Sequence, residues 1–190
     1  MSTPMPKYPT IDPAKERLAA LRQQARQLCL DLKKTRTRTI SADQYFEMLD
    51  MVGGNDAKIP DSQFYNEDGF YILGDLDTHG RDNIKMNHIL GIEGRLILDG
   101  TENCELNGLE YVGENINVSA CKNISFNKLA FACGAVDMAD SSDITAPAVR
   151  FVEGYANICP TRIIFGTEAI VIAGKVHDFS RKDPSAYKVS

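Results

Sequence analysis

From Leu73 onward the chain repeats itself every twenty residues without an insertion or deletion. Its rows are Leu73–Ile92, Glu93–Val112, Gly113–Ala132, Cys133–Val152 and Glu153–Ile172. The fourth column reads Leu76, Leu96, Ile116, Val136, Ala156, and the twelfth reads Ile84, Cys104, Ile124, Ile144, Ile164. Columns six, fourteen, seventeen, nineteen and twenty behave alike. Of these 35 cells 32 are apolar, the exceptions being Thr78, Gly91 and Gly166. The chain's 43% hydrophobic content would place about 15 there by chance. One row cannot bury such a stripe alone, but stacked rows bury a continuous column of like residues.

Within a row the pattern is that of short strands joined by tight turns. The second column is Gly74, Gly94, Glu114, Gly134, Gly154, a recurring turn position. Polar clusters such as Gly100-Thr101-Glu102-Asn103 separate segments of period two such as Asn115–Ser119. In the latter, 116 and 118 point inward while 115, 117 and 119 point outward. The expected fold class is α+β, with N-terminal helices capping a parallel β-solenoid of about five 20-residue coils. Asp178 falls where a sixth coil needs an apolar residue, so the stack is expected to stop there. The domain plan is a flexible 1–11, a helical cap over 12–54, a connection over 55–72, the solenoid over 73–178 and a tail over 179–190.

Asp12-Pro13 reads as an N-cap and first-turn proline. Ala14, Leu18, Leu21, Ala25, Leu28 and Leu32 then recur at steps of three and four, an amphipathic helix to about Lys34. Thr35 to Ile40 is a linker or short strand. Ser41-Ala42-Asp43-Gln44 has capping-box spacing and opens a second helix that Gly53-Gly54 stops. Both helices are expected to cover the first coil, whose strand edges are otherwise open. The net charge of −5 conceals a segregation: residues 1–40 carry nine Lys/Arg against three acids, and 41–190 carry 12 against 23. Such a basic arm can bind nucleic acid or a membrane surface, or fold back onto its own acidic body.

The rows resemble leucine-rich repeats. Leu96-x-Leu98-x-x-Thr101-x-x-Cys104 and Ile116-x-Val118-x-x-Cys121-x-x-Ile124 are similar to the L-x-L-x-x-[N/C/T]-x-x-[L/I] segment of cysteine-type repeats. Tyr111-Val112-Gly113-Glu114-Asn115 is similar to the V-G-G lead-in of short repeats in bacterial and phage proteins. The resemblance implies that a small polar ninth-column residue (Thr101, Cys121, Ser141, Thr161, with Arg81 departing) bonds to backbone in the turn. It also implies that the outward strand face binds a protein partner. The rival architecture is a right-handed parallel β-helix with three short sheets.

No nucleophile elbow, phosphate loop or dinucleotide fingerprint is present, and the histidines His79, His88 and His177 sit in unrelated columns. The sequence therefore leans away from an enzyme, and it calls for no cofactor. Five cysteines without a C-x-x-C pair read as reduced thiols, and the N-terminus lacks the plan of a secretory signal, so a cytoplasmic protein is expected. Asp75-x-Asp77-x-His79 is the densest polar cluster, a divalent-cation or basic-ligand site on one reading and a solvated strand face on the default one. The candidate binding surface is the outward strand face: Asp75, Asp77, His79, Arg95, Asp99, Asn115, Asn117, Asp137, Tyr155 and Asn157. The leading expectation is a non-enzymatic module for a protein partner with a basic surface, of the kind a bacterial or phage effector or inhibitor uses, including one delivered into a host cell. Two alternatives stand beside it: nucleic-acid binding or coiled-coil self-association by the basic helix, and a small glycan-active β-helix. The oligomeric state stays open.

Overall fold

The computed structural model describes residues 13–63, 67–158, 163–165, 170–174, 176–178 and 188–189. Each coil contributes one short strand to each of three parallel sheets. In the second coil these are Leu96–Ile97, Glu102–Glu105 and Tyr111–Val112. They belong to sheets of six, five and eight strands among the described residues. A leucine-rich repeat supplies one strand plus a helix or 3₁₀ turn. Three strands per coil is instead the cross-section of the rival β-helix.

The twenty-residue register pairs Leu96 with Ile116, Ile116 with Val136, and Tyr111 with Phe131. It shifts by one at the start, where Phe70 pairs with Ile89, and again near the far end, where Ile144 pairs with Ile163 and not with Ile164. Val176–Asp178 still pairs with Ala156–Ile158, and Lys188–Val189 pairs with Val171–Ile172. Strand pairing thus reaches into the segment expected to be a tail. Cys159, Thr161 and the Asp12 cap lie outside the described residues.

The lumen is filled by the inward columns. Leu76, Leu96, Ile116 and Val136 from the six-stranded sheet meet Ile84, Cys104, Ile124 and Ile144 from the five-stranded one, all buried. The turn after the six-stranded sheet is held by the ninth column. Cys121 donates its thiol to the Leu98 carbonyl at 2.9 Å, and the Ser141 hydroxyl donates to the Val118 carbonyl. Burial pushes the Cys121 thiol up to about 11, so it keeps the proton it donates. Two residues on, Asn83, Asn103, Asn123 and Asp143 all take the left-handed conformation, with φ between 56° and 58°. Short polar side chains tolerate that conformation best after glycine. Asn103 and Asn123 pass their amides down the column at 2.9 and 2.8 Å.

The N-terminal segment covers the stack in two directions. Helix α2 (Ala42–Met51) carries the expected capping box, with the Gln44 amide on Ser41 Oγ at 3.2 Å and the Ser41 amide on Gln44 Oε1 at 3.0 Å. It seats Tyr45, Phe46 and Leu49 on the first coil. Arg81, the departing ninth-column residue, pairs with Asp50 and lies 4.6 Å over Phe46, tying that coil to α2. The linker before α2 forms strand β1 (Thr37–Ser41), which extends the eight-stranded sheet by pairing with β2 (Gly69–Leu73).

Helix α1 (Pro13–Asp31) does not cap the first coil as expected. It lies across the outer face of the eight-stranded sheet. Leu18, Leu21 and Ala25 pack over Ala130, Phe131, Phe151 and Val171, while Leu28, Cys29 and Leu32 pack over Tyr71, Leu90 and Tyr111. Its 19 residues reach about 28 Å, enough to span the roughly 24 Å from β2 to the Val171–Ile172 strand. This sheet is therefore buried on both faces, the physical reason that columns nineteen and twenty are both apolar. Gly91 interrupts column nineteen because a Cβ there would sit 2.7 Å from the Tyr71 ring and 3.1 Å from Leu32 Cδ1.

The basic arm folds back onto its own body. Arg22 grips Glu153 with Nε at 2.9 Å from both carboxylate oxygens, Lys33 meets Glu93 at 2.5 Å, and Arg36 bonds Glu110 at 2.8 and 3.0 Å. Arg22 and Lys33 are eleven residues apart, about 16 Å along a helix. Glu93 and Glu153 are three coils apart, about 14 Å along the stack. The near-match of these spacings fixes where along the sheet α1 rests.

Two outcomes follow from this packing. Ile124→Asp buries an unpaired carboxylate in the lumen and is expected to cost several kcal/mol, about enough to unfold the domain, while Asn123→Asp keeps the polar column and stays folded; thermal melts of the two separate these outcomes. Exposed ion pairs contribute little, so the apolar seam holds α1. Leu32→Ala is expected to cost about 2–4 kcal/mol in urea unfolding, more than Glu93→Gln combined with Glu153→Gln.

Candidate binding face

The outer face of the six-stranded sheet carries the residues singled out from sequence, and most of them are already engaged by the fold. In the third column, the Arg95 amide donates to Asp75 Oδ1 at 2.7 Å, and its guanidinium bonds Oδ2 at 2.6 and 3.0 Å. That guanidinium holds the Asp75 carboxyl below its usual range. Asn115 plays the same backbone role, accepting the Ala135 amide at 2.8 Å. Each side chain thus satisfies a donor of the next coil.

The fifth column works within its own coil. Asp77, Asn117 and Asp137 accept the amides of His79, Ser119 and Ala139, two residues on, at 2.8, 2.9 and 3.0 Å. Each closes the turn that ends its strand. Asp137 also accepts from Asn157 Nδ2 at 3.0 Å. His79 is exposed at φ 51°, its Nδ1 3.6 Å from Asp77 Oδ1. Asp75 and Asp77 are therefore turned to different partners and do not converge on a common point. Asp99 is exposed in a turn, and Tyr155 stands 48% exposed.

This changes the electrostatic reading. Four aspartates against one arginine suggests a single acidic field, but Asp75 and Arg95 neutralise each other. Among the described residues, Asp77, Asp99 and Asp137 make no ion pair with a Lys or Arg, and the structure spreads them over the first, second and fourth coils.

Two further features had no signal in the sequence. Asp56 is fully buried between the cap and the first coil, where its Oδ2 accepts the Tyr45 hydroxyl at 2.9 Å and the His88 amide at 2.6 Å. Its Oδ1 has no hydrogen-bond partner, and burial raises the pKa of the carboxyl. Beside α1 runs an open groove of about 1050 Å³, floored by Leu28, Ala130 and Phe131 and flanked by Gln24, Lys128 and Arg150. Arg150 stacks 5.2 Å over the Phe131 ring.

Fold and surface together define the class: a parallel β-solenoid of about five twenty-residue turns, with one N-terminal helix laid along its side and one over its end. Set against known proteins, the chain matches no family model, no curated protein and no solved structure. Among the described residues, no helix is long and apolar enough to cross a membrane.

The Asp56 geometry yields a test with a definite sign. A carboxyl whose folded pKa lies above its unfolded value binds more protons when folded, so it favours unfolding as pH rises through that window. Asp56→Asn removes this titration. Parent stability relative to Asp56→Asn is therefore expected to rise as pH falls from neutral toward 4, measured by urea unfolding at each pH. A difference independent of pH would show that Asp56 ionises freely.

Proposed function

We propose that the protein is a non-enzymatic recognition module that binds a protein partner through the outer face of its six-stranded sheet. The observation that carries this reading is the unequal use of the three outer faces. The eight-stranded sheet spends its outer face on α1. The five-stranded sheet presents an amide ladder and a Lys85–Glu105 pair at 2.7 Å. The six-stranded sheet presents Asp77, Asp99 and Asp137 beside the exposed Tyr155, and its one outward arginine is taken by Asp75. A surface of that charge favours a basic partner and speeds its association at low salt.

From the leucine-rich-repeat resemblance this reading keeps one inference, that a strand-lined solenoid face is a partner surface. An effector or inhibitor that works by occupying a basic protein fits it. The basic-arm alternatives fare less well. The Leu18–Leu32 seam a coiled coil would use lies on the protein's own sheet, and Arg22, Lys33 and Arg36 are paired with its carboxylates.

The test is differential capture from native lysate. Asp77→Asn, Asp99→Asn and Asp137→Asn together remove three charges and keep the turn acceptors, since Asn117 already does that work in the same column. Glu102→Gln, Asp140→Asn and Asp143→Asn is the charge-matched control on the turns. A partner lost with the first set, at unchanged melting temperature, and retained with the control supports the face. Equal loss from both sets reduces the effect to bulk charge. Loss only when Lys33, Lys34, Arg36 and Arg38 are neutralised moves the site to the arm.

A further inference from the structure

The two walls of the groove beside α1 carry different chemistry. The helix wall is Gln24, Gln27, Leu28 and Asp31, one face of α1 over two turns and about 10 Å long. Gln27 Nε2 donates to Asp31 Oδ1 at 2.8 Å, which answers that carboxylate and leaves the Gln27 amide oxygen as an acceptor. The solenoid wall is a corner of the third and fourth coils, with Lys128, Pro147, Ala148 and Arg150. Lys128 and Arg150 are exposed, and among the described residues neither is paired with a carboxylate. That sets them apart from Arg22, Lys33, Arg36, Arg81 and Arg95, each of which has an acidic partner in the fold. Arg150 is nevertheless positioned, because its guanidinium lies 5.2 Å over the Phe131 ring. Stacking on a ring orients the planar fork and leaves its N–H edge available to a carboxylate.

We propose that this groove binds a short extended segment of another protein in which apolar side chains are followed by one or two carboxylates. The half-buried Leu28 and Ala148 and the exposed Pro147 offer apolar contact. The Gln24 and Gln27 amides suit the donors and acceptors of a peptide backbone. A length of 10 Å takes about three extended residues. Lys128 and Arg150 then receive the carboxylates, Arg150 through two parallel hydrogen bonds. A polyanion such as nucleic acid fits less well, because Asp31 and Glu110 border the same groove. Glu110 is already neutralised by Arg36, at 2.8 and 3.0 Å, so the open charge of the groove is positive. This site is independent of the acidic face of the six-stranded sheet and selects a partner of the opposite sign.

The proposal is tested on the isotope-labelled full chain by amide NMR, with the acetylated and amidated peptide GSLLEEGS as the probe. GSLLQQGS and GSLLKKGS are the matched controls. The glutamate peptide is expected to shift the amides of Gln24, Leu28, Lys128 and Arg150. It is expected to bind about three- to tenfold more tightly than the glutamine peptide, the range for one or two exposed ion pairs, with the lysine peptide weaker still. Lys128→Glu combined with Arg150→Glu is expected to reverse that order. Equal affinities for the three peptides, no saturable shift, or shifts confined to the six-stranded face overturn the proposal. Self-association of the parent that the double variant abolishes gives the groove to a second copy and overturns it as well. The ranking of the three peptides on the parent decides the charge requirement even if the variant folds poorly.

Discussion

Outside its turns, the backbone of a twenty-residue parallel coil has no partner within itself. Its amides must find carbonyls on the next coil, as Leu96 does on Asn115 at 3.0 Å and Ile116 on Ala135 at 2.8 Å. Everything else in the solenoid answers to that ladder. The corner after the six-stranded sheet must turn sharply without losing the register, which is the task of the buried Thr101, Cys121 and Ser141 and of the left-handed Asn/Asp column two residues on. An insertion in one coil would misplace every side chain after it. The uninterrupted period is thus a physical demand of the ladder. The first coil has no neighbour on one side, and there α2, β1 and the pairing of Asn55 with Lys85 take over the duty of a coil.

Helix α1 solves a different problem. An outer sheet face with Tyr71, Tyr111, Phe131, Phe151 and Val171 in line would be a large exposed apolar patch. Covering it from within the same chain removes that hazard and consumes the arm's apolar stripe. It also consumes the charge of Arg22 and Lys33, because Glu153 and Glu93 on the sheet margin lie nearly as far apart as those two side chains do along the arm. What remains for other molecules is the pair of outer faces that α1 does not touch and the groove along its flank.

How far this was readable from sequence depends on which contact a residue makes. The lumen was legible, because burial acts on every row alike and leaves a column. The side position of α1 has a signal in the repeat itself: adjacent apolar columns nineteen and twenty cannot belong to a strand with one wet face. Gly91, an exception in that column, marks where Tyr71 and Leu32 enter. The leucine-rich pattern misled on the sheet count, since the L-x-L segment is shared by any coil that places two residues inward around one outward. Asp56 was invisible because a lone buried carboxylate has no period. The late strand at Lys188–Val189 sits seventeen residues from its partner, outside the repeat that made the other strands visible.

The outward face was legible in position and only partly in role, and the reason bears on its use. Its third and fifth columns require an acceptor for an amide one coil or two residues away. Asn115 and Asn117 meet that requirement without charge, through the same geometry that Asp75 and Asp137 use with it. The fold therefore asks these columns for an oxygen and is indifferent to ionisation. At Asp75 the charge is used, by Arg95. At Asp77 and Asp137 it exceeds what the turn needs, and Asp99 makes no side-chain bond among the described residues. Charge beyond the fold's requirement, half-buried at the strand ends Asp77 and Asp137 and exposed at the turn residue Asp99, is what distinguishes this face from the amide ladder on the neighbouring one. A partner of the kind proposed would gain from positions the ladder already fixes, since little ordering would be lost on binding.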